Sequence, residues 1–350
     1  MARGLSRFAW VMLAATAMPA FGAKTLNLEQ FDQMLAAEQG KSASKVTRQI
    51  AKVELSERAT AAQLARWESE FPGARNALVA LADASQFLPP SPAEVLRDPT
   101  PNLETQKEML SLAIHYVGRV MPTLPDFFAT RETLHFESTQ LSVEDPPLHF
   151  VGRSSLLVTY RDGHEVHEAP STKSRAEPVS GLTSTGEFGP ILSIVLSDAV
   201  HGQLHWGYWE QSSTPIAVFR YLVPQNESHY TVTFPNRLQT VTLQPAYHGE
   251  IALDPSTGEI LRLTLISDLP VQYRQVRAAM MVEYAPVPIG SGTYVCPIQG
   301  VALSRFQISG STNLSLSSLP VSGPGVMQTQ LNDISFTHYH RFRADTKFLP

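Results

Sequence analysis

Near Pro122 the spacing of apolar residues changes from a period of 3.6 to a period of 2, and only one later stretch returns to the first. That switch limits the architectures open to the chain. Helices come first. Then come "ETLHFES", "SSLLVTY", "IAVFRYLV", "YTVTF", "GEIALD", "EILRLTLI", "AAMMVEY", "GVALSRF" and "ISFTHYHRF", separated by turn residues at short intervals. Strands so closely spaced leave no room for crossover helices, so the order predicts an antiparallel meander rather than a βαβ series. The fold class expected is α+β: a helical N-terminal region, then a large curved antiparallel sheet with one inserted helix, "GEFGPILSIVLSDAV" from Gly186 to Val200. Asp162 to Ser180 and Ser309 to Gln330 are rich in Ser, Thr, Gly and Pro and are expected to be long surface loops.

The helical part divides further. Asn27 with Gln30 forms a capping pair ahead of Leu28, Phe31 and Leu35, and Gly40 is placed to end that helix. A second short helix is expected to carry Val46, Ile50 and Val53. Thr60 with Gln63 makes a capping box for a helix with Leu64, Trp67 and Phe71 at core spacing, stopped by Pro72-Gly73. "ARNALVALADASQFL" continues as helix, and "PPSPAEVLRDPTPN" is too proline-rich for regular structure, which makes it a linker or a strap. Asn102 caps a longer helix with Met109, Leu112, Ala113, Tyr116, Val117 and Val120 on its buried side.

The first residues set the expected compartment. Arg3 and Arg7 precede an apolar run, Phe8 to Phe21, that is too short for a permanent membrane anchor, and Ala20-Phe21-Gly22 supplies small residues for cleavage. The expected organisation is a signal peptide over 1–22, a helical region over 24–101 ending in the Pro-rich linker, and a half-barrel-like domain over 102–350. An exported protein of the periplasm or extracellular space follows, with no lipid attached and no later transmembrane anchor. Losing Arg3 and Arg7 takes the formal charge from −5 to −7. No basic stripe appears that could neutralise several phosphates, so nucleic acid is not an expected partner. The single cysteine, Cys296, excludes an intramolecular disulfide; it reads as a small buried hydrophobe, with a nucleophile as the alternative.

Motifs that carry chemistry are few. His201 and His205 have the i, i+4 spacing of a zinc pair but lack the glutamate of a metalloprotease helix, and Gly202 interrupts them. His164 to Glu168, "HEVHE", lies in a polar loop, and His338 and His340 share a strand face with Phe336 and Phe342. No Gly-x-Ser-x-Gly elbow and no phosphate-binding glycine loop is present. No catalytic residue, cofactor or metal ligand is assigned. "YHGEIALDPSTGEILRLTL" reads as a hairpin in which Asp254, Pro255 and Gly258 each have a folding role. The aromatic cluster Trp206, Tyr208, Trp209, Phe219 and Tyr221 is more suggestive. It stabilises a sheet by cross-strand packing or, as the candidate ligand-binding set, lines a cavity for an apolar molecule.

A helix from Leu103, the strand opening "ATRETLHFES", a long meander and one inserted helix together resemble the periplasmic lipoprotein-carrier and sorting fold. There an unclosed half-barrel wraps around helices on its concave side. "IALDPSTGEILRLTL" followed by "AAMMVEYAPVPIGSGTYVCPIQG" is similar to the later strands of such proteins, and the resemblance covers roughly Leu103 to Phe348. "ALADASQFLPPSPAEV", "LPDFFATRETLHFE", "WEQSSTPIAVFRYLVP" and "THYHRFRADTKF" also resemble an uncharacterised family of secreted bacterial proteins, which implies no activity. The Asp-Pro-Ser-Thr-Gly turn is similar to one in small secreted domains that regulate peptidases. The function these resemblances imply is non-catalytic binding or carriage, in the cell envelope, of a lipid, a lipidated protein or a hydrophobic peptide. Two alternatives stay open: an envelope hydrolase with a scattered His and acidic site, and an envelope protein-interaction module.

Overall fold

The computed structural model describes residues 23–140, 147–162, 164–166, 190–236, 239–273, 275–308 and 326–341. The expected signal segment and most of both expected loops lie outside these residues. Of the loop stretches, His164–Val166 and the residues from Val326 onward are strand rather than loop.

The N-terminal region builds a small core of its own. Helix α1 (Leu28–Ala36) is opened by a reciprocal capping box, with the Asn27 side chain accepting from the Gln30 amide. Helix α2 (Ala43–Ile50) follows, and Val53, expected on that helix, instead lies in strand β2 (Val53–Leu55), parallel to β1 (Lys24–Leu26). Two β-branched or apolar residues flanking a glutamate favour the strand once β1 offers a partner. Thr60 and Gln63 cap α3 (Ala61–Glu70), and α4 (Arg75–Ala84) completes the layer. Phe31, Leu35, Ile50, Leu78 and Trp67 pack together at its centre, Trp67 with an edge-on contact to Phe31 at 4.9 Å.

The rest is one open antiparallel sheet. Its strands are β3 (Val95–Leu96), β4 (Phe127–Gln140), β5 (His149–Arg161), β6 (His164–Val166), β7 (Gln203–Glu210), β8 (Ile216–Val223), β11 (Ala246–Leu253), β12 (Ile260–Asp268), β13 (Arg277–Ile289), β14 (Gly292–Ile308) and β15 (Val326–Arg341). A side hairpin, β9 (Val232–Asn236) with β10 (Gln239–Leu243), touches β14. The order is β3-β7-β8-β11-β12-β13-β14-β15-β4-β5-β6, so the last long strand seats the first, and the edges β3 and β6 never meet. The sheet is half-barrel-like and unclosed. The Pro-rich segment is not wholly irregular: Val95 and Leu96 pair with Glu210 and Trp209 as an edge strand. Prolines are tolerated beside such an edge because no further strand needs their missing N–H.

Both faces of the central strands are covered, each by different helices, while Phe150, Val151, Leu156 and Leu157 of β5 are exposed. One register row runs Phe219–Ile251–Leu263–Val282–Gly300–Ile334, and its first four residues face α5 (Leu103–Val120) and α6 (Pro190–His201); this is the inner face. The neighbouring row, Tyr208–Val218–Ala252–Arg262–Glu283, points the other way, and there α4 lays Val79 and Ala80 on Met281, Val301, Leu303, Leu331 and Phe136. Strand β13 reads "AAMMVEY" because it is buried on both sides.

The β11–β12 hairpin is a wall, and it also seats a helix. Asp254 Oδ1 accepts from the amides of Ser256 and Thr257, and Gly258 takes φ +75°. A Cβ on Gly258 would lie 2.3 Å from a backbone carbon of Leu112, so glycine is required both by the turn and by the close approach of α5. That approach buries Met109, Ala113 and Val117, whereas Leu112, expected inside, is exposed.

Candidate functional site

On the inner face four of the five candidate aromatics come together. Trp206 meets Trp209 at 4.9 Å and Phe219 at 5.3 Å, both edge-on, and Tyr221 lies two residues along β8. Tyr208 is on the other face. The bulge at Gly207 puts Trp206 and Trp209 on the same side and turns Tyr208 outward, where its hydroxyl donates to Glu250 Oε2 at 2.9 Å. The inner aromatics join the apolar core beneath α5 and α6, so the helices fill the half-barrel. Between them remains an apolar space of about 10 Å³, lined by Tyr116, Leu192, Ile260, Tyr284 and Cys296 among others. That is near the threshold for holding one water.

Helix α6 closes this face with Ile191, Leu192, Val195, Leu196 and Ala199 and with a single buried acid. Asp198 accepts from Tyr247 Oη at 2.8 Å and from the His229 amide at 2.8 Å, and its other oxygen lies 2.6 Å from His229 Nδ1. These bonds tie α6 to β11 and to the segment before β9. Sequence reading could not name these partners, which lie 31 and 49 residues away. Burial pushes Cys296, beneath the helices, up to about 12, which makes it an inert thiol in this state.

The outer face holds the charged groups. Arg58 follows β2 and is almost wholly buried, 4% exposed at its side chain. Its Nη2 donates to Glu210 Oε2 at 2.8 Å and lies 3.5 Å from Glu94, while Nη1 is 3.7 Å from Glu250. Arg262 donates to both oxygens of Glu210, at 2.9 and 2.5 Å. Burial alone would raise the Glu210 carboxyl, but the hydrogen bonds and charge of Arg262, then of Arg58, outweigh it and hold it below the ordinary glutamate value. Beside this clamp is a cleft of about 250 Å³ between α3, α4 and the sheet, lined by Glu68, Asp83, Glu94, Glu210 and Glu283 as well as by the two arginines. Burial raises Asp83, Glu283 and Glu94 from their ordinary values.

A protonated carboxyl next to an ionised one is the usual acid–base pair of hydrolytic chemistry. Here Glu210 accepts three hydrogen bonds from two guanidinium groups, which stabilise its charge and make it a weak base.

Among the described residues the histidines do not gather. His201 ends α6 and bonds the Ser197 carbonyl at 2.9 Å, while His205 lies exposed in β7. His338 takes φ 52° at a register slip between Thr337 and His340, so these two are exposed although Phe336 is buried, which corrects the expected shared face; Phe342 and His167 lie outside the described residues. Among the described residues no group of three or more His, Cys, Asp or Glu is arranged to hold a metal ion, and no helix is long and apolar enough to cross a membrane. Comparison with protein-family models, with curated proteins and with solved structures found no match.

Proposed function

We propose that this is an exported, non-catalytic binding protein that carries a lipid, a lipidated protein or a hydrophobic peptide against the inner face of its half-barrel. The observation that carries the reading is the way that face is closed. A sheet with free edges exposes a continuous apolar surface, and a helix, not a further strand, covers it. The space of about 10 Å³ left beneath α5 and α6 admits no acyl chain, so loading requires α6 to give way. An acyl chain or apolar peptide that replaced Ile191, Leu192, Val195 and Leu196 would rebury the same surface, which keeps the exchange near balance. Asp198 is the polar fix that biases the helix towards the closed position.

The reading is tested by titrating the full chain with a fluorescent fatty acid, with and without Asp198→Asn. Uptake of the probe, faster in the variant because the binding-competent state is more populated, is the expected result. No uptake by either form would overturn it.

A further inference from the structure

The outer-face cleft is separated from the inner face by the thickness of the sheet, and the carrier reading makes no use of it. Its walls carry an excess of negative charge: five carboxylates, of Glu68, Asp83, Glu94, Glu210 and Glu283, against the guanidinium groups of Arg58 and Arg262. Both of those cations are paired with Glu210, and Arg58 with Glu94 and Glu250 as well, while the buried Arg262 Nε has no hydrogen-bond partner. Glu68 has Arg75 at 2.9 Å. Asp83 is different. It is 1% exposed, it lines the cleft, and its Oδ2 has no hydrogen-bond partner. A buried carboxylate oxygen left without a donor is costly, and the loss is recovered by any ligand that supplies one.

We propose that the cleft binds an organic cation, an ammonium or guanidinium group on a short aliphatic stem, with Asp83 as its central acceptor and Glu283 beside it. The carboxylates are not arranged as a metal's ligand set, whereas an ammonium or guanidinium group offers several N–H donors that reach separate acceptors. Ala61, Leu64, Ala65 and Met281 line the same cleft and supply apolar surface for the stem. The volume, about 250 Å³, suits a side chain or a short polyamine. Burial raises the carboxyls of Asp83 and Glu283 from their ordinary values, and at Asp83 the neighbouring acids add to the rise. The groups facing Asp83 from the packed elements are Glu68 of α3, Glu283 of β13 and Asp333 of β15.

Calorimetry on the full chain tests this with spermidine, with the capped tripeptides Ac-Ala-Lys-Ala and Ac-Ala-Arg-Ala, and with magnesium chloride at matched ionic strength. Saturable binding of at least one organic cation at one site per chain is expected, weakened about tenfold or more by Asp83→Asn. Circular dichroism and thermal unfolding report whether that variant keeps its fold; if it does not, Glu283→Gln takes its place and a comparable loss is expected. Binding of spermidine alone identifies a free polyamine as the source, and binding of a tripeptide identifies a basic peptide side chain; either supports the proposal. Absence of saturable binding, an equal response to magnesium, or unchanged affinity in a folded variant would overturn it. None of these results depends on whether the inner face takes up an acyl chain.

Discussion

Replacing Glu210 by glutamine removes the charge on which the outer-face network turns. The carboxylate accepts three hydrogen bonds from two arginines whose side chains are 4% and 11% exposed. Glutamine keeps the shape and one acceptor oxygen, but its amide presents N–H groups to a guanidinium that can only donate. Breaking a buried ion pair from one side costs about 3–5 kcal/mol, and the retained oxygen places Glu210→Gln near the lower end, about 3 kcal/mol. Glu94→Gln is the internal comparison. Its contact with Arg58 is 3.5 Å long and its carboxyl is raised by burial, so it should cost about 1 kcal/mol or less. Urea unfolding of both variants, with the slope unchanged, gives the two differences. The pH dependence follows from the depressed carboxyl. The contribution of Glu210 is present above the ordinary glutamate value of 4.5 and is lost as the pH falls through the lower value in the folded chain. The gap between wild type and Glu210→Gln should therefore persist at neutral pH and shrink only on strong acidification. A difference below about 1 kcal/mol at neutral pH would refute the reasoning, because it would mean that the two arginines are solvated once the charge is gone.

Three further outcomes are expected. Trp67→Ala should destabilise the chain by about 3–5 kcal/mol, since the indole is 1% exposed and its Nε1 donates to Asp32 Oδ1 at 2.6 Å; an unchanged urea midpoint would contradict that packing. Burial pushes Asp333 up to about 6 against a bond from Gln299, and it titrates together with Asp83, so the fold loses stability as the pH rises from 3.8 to about 6. Asp333→Asn should reduce that slope, leaving the part that comes from the burial of Asp83 itself, and raise stability at pH 7 by about 1–2 kcal/mol, measured by thermal unfolding across pH. Cys296 should react with a thiol reagent far more slowly than free cysteine until the chain is unfolded or α6 is loosened by Asp198→Asn; immediate labelling of the native chain would place the thiol at the surface.

Local pattern carried much of the fold into view. The capping boxes at Asn27 and Thr60, the turn at Asp254 to Gly258 and the strands with clean alternation were all readable, because each is decided by residues within a few positions of one another. Val53 was misplaced because a three-residue strand exists only through pairing with Lys24–Leu26. That the helices divide between two faces was written in "AAMMVEY", where consecutive apolar residues signal burial on both sides, but alternation alone does not expose it. The charged cleft was harder still. Arg58, Glu210 and Arg262 are separated by 152 and 52 positions, and each looks like an ordinary surface residue in its own segment. The one available signal was Arg262, a charge pointing away from Leu263 and Leu265 in a strand otherwise suited to burial. Asp198 carried a similar signal, an acid within the most apolar helix.

Native mass spectrometry of the protein, purified from the cells that make it, tests the carrier reading most directly. The account predicts a population heavier than the bare chain by the mass of a lipid, a lipidated species or a hydrophobic peptide, released by organic solvent and lost more readily from the Asp198→Asn variant. A bare chain in every preparation, together with no uptake of a fluorescent fatty acid by the purified protein, would contradict it.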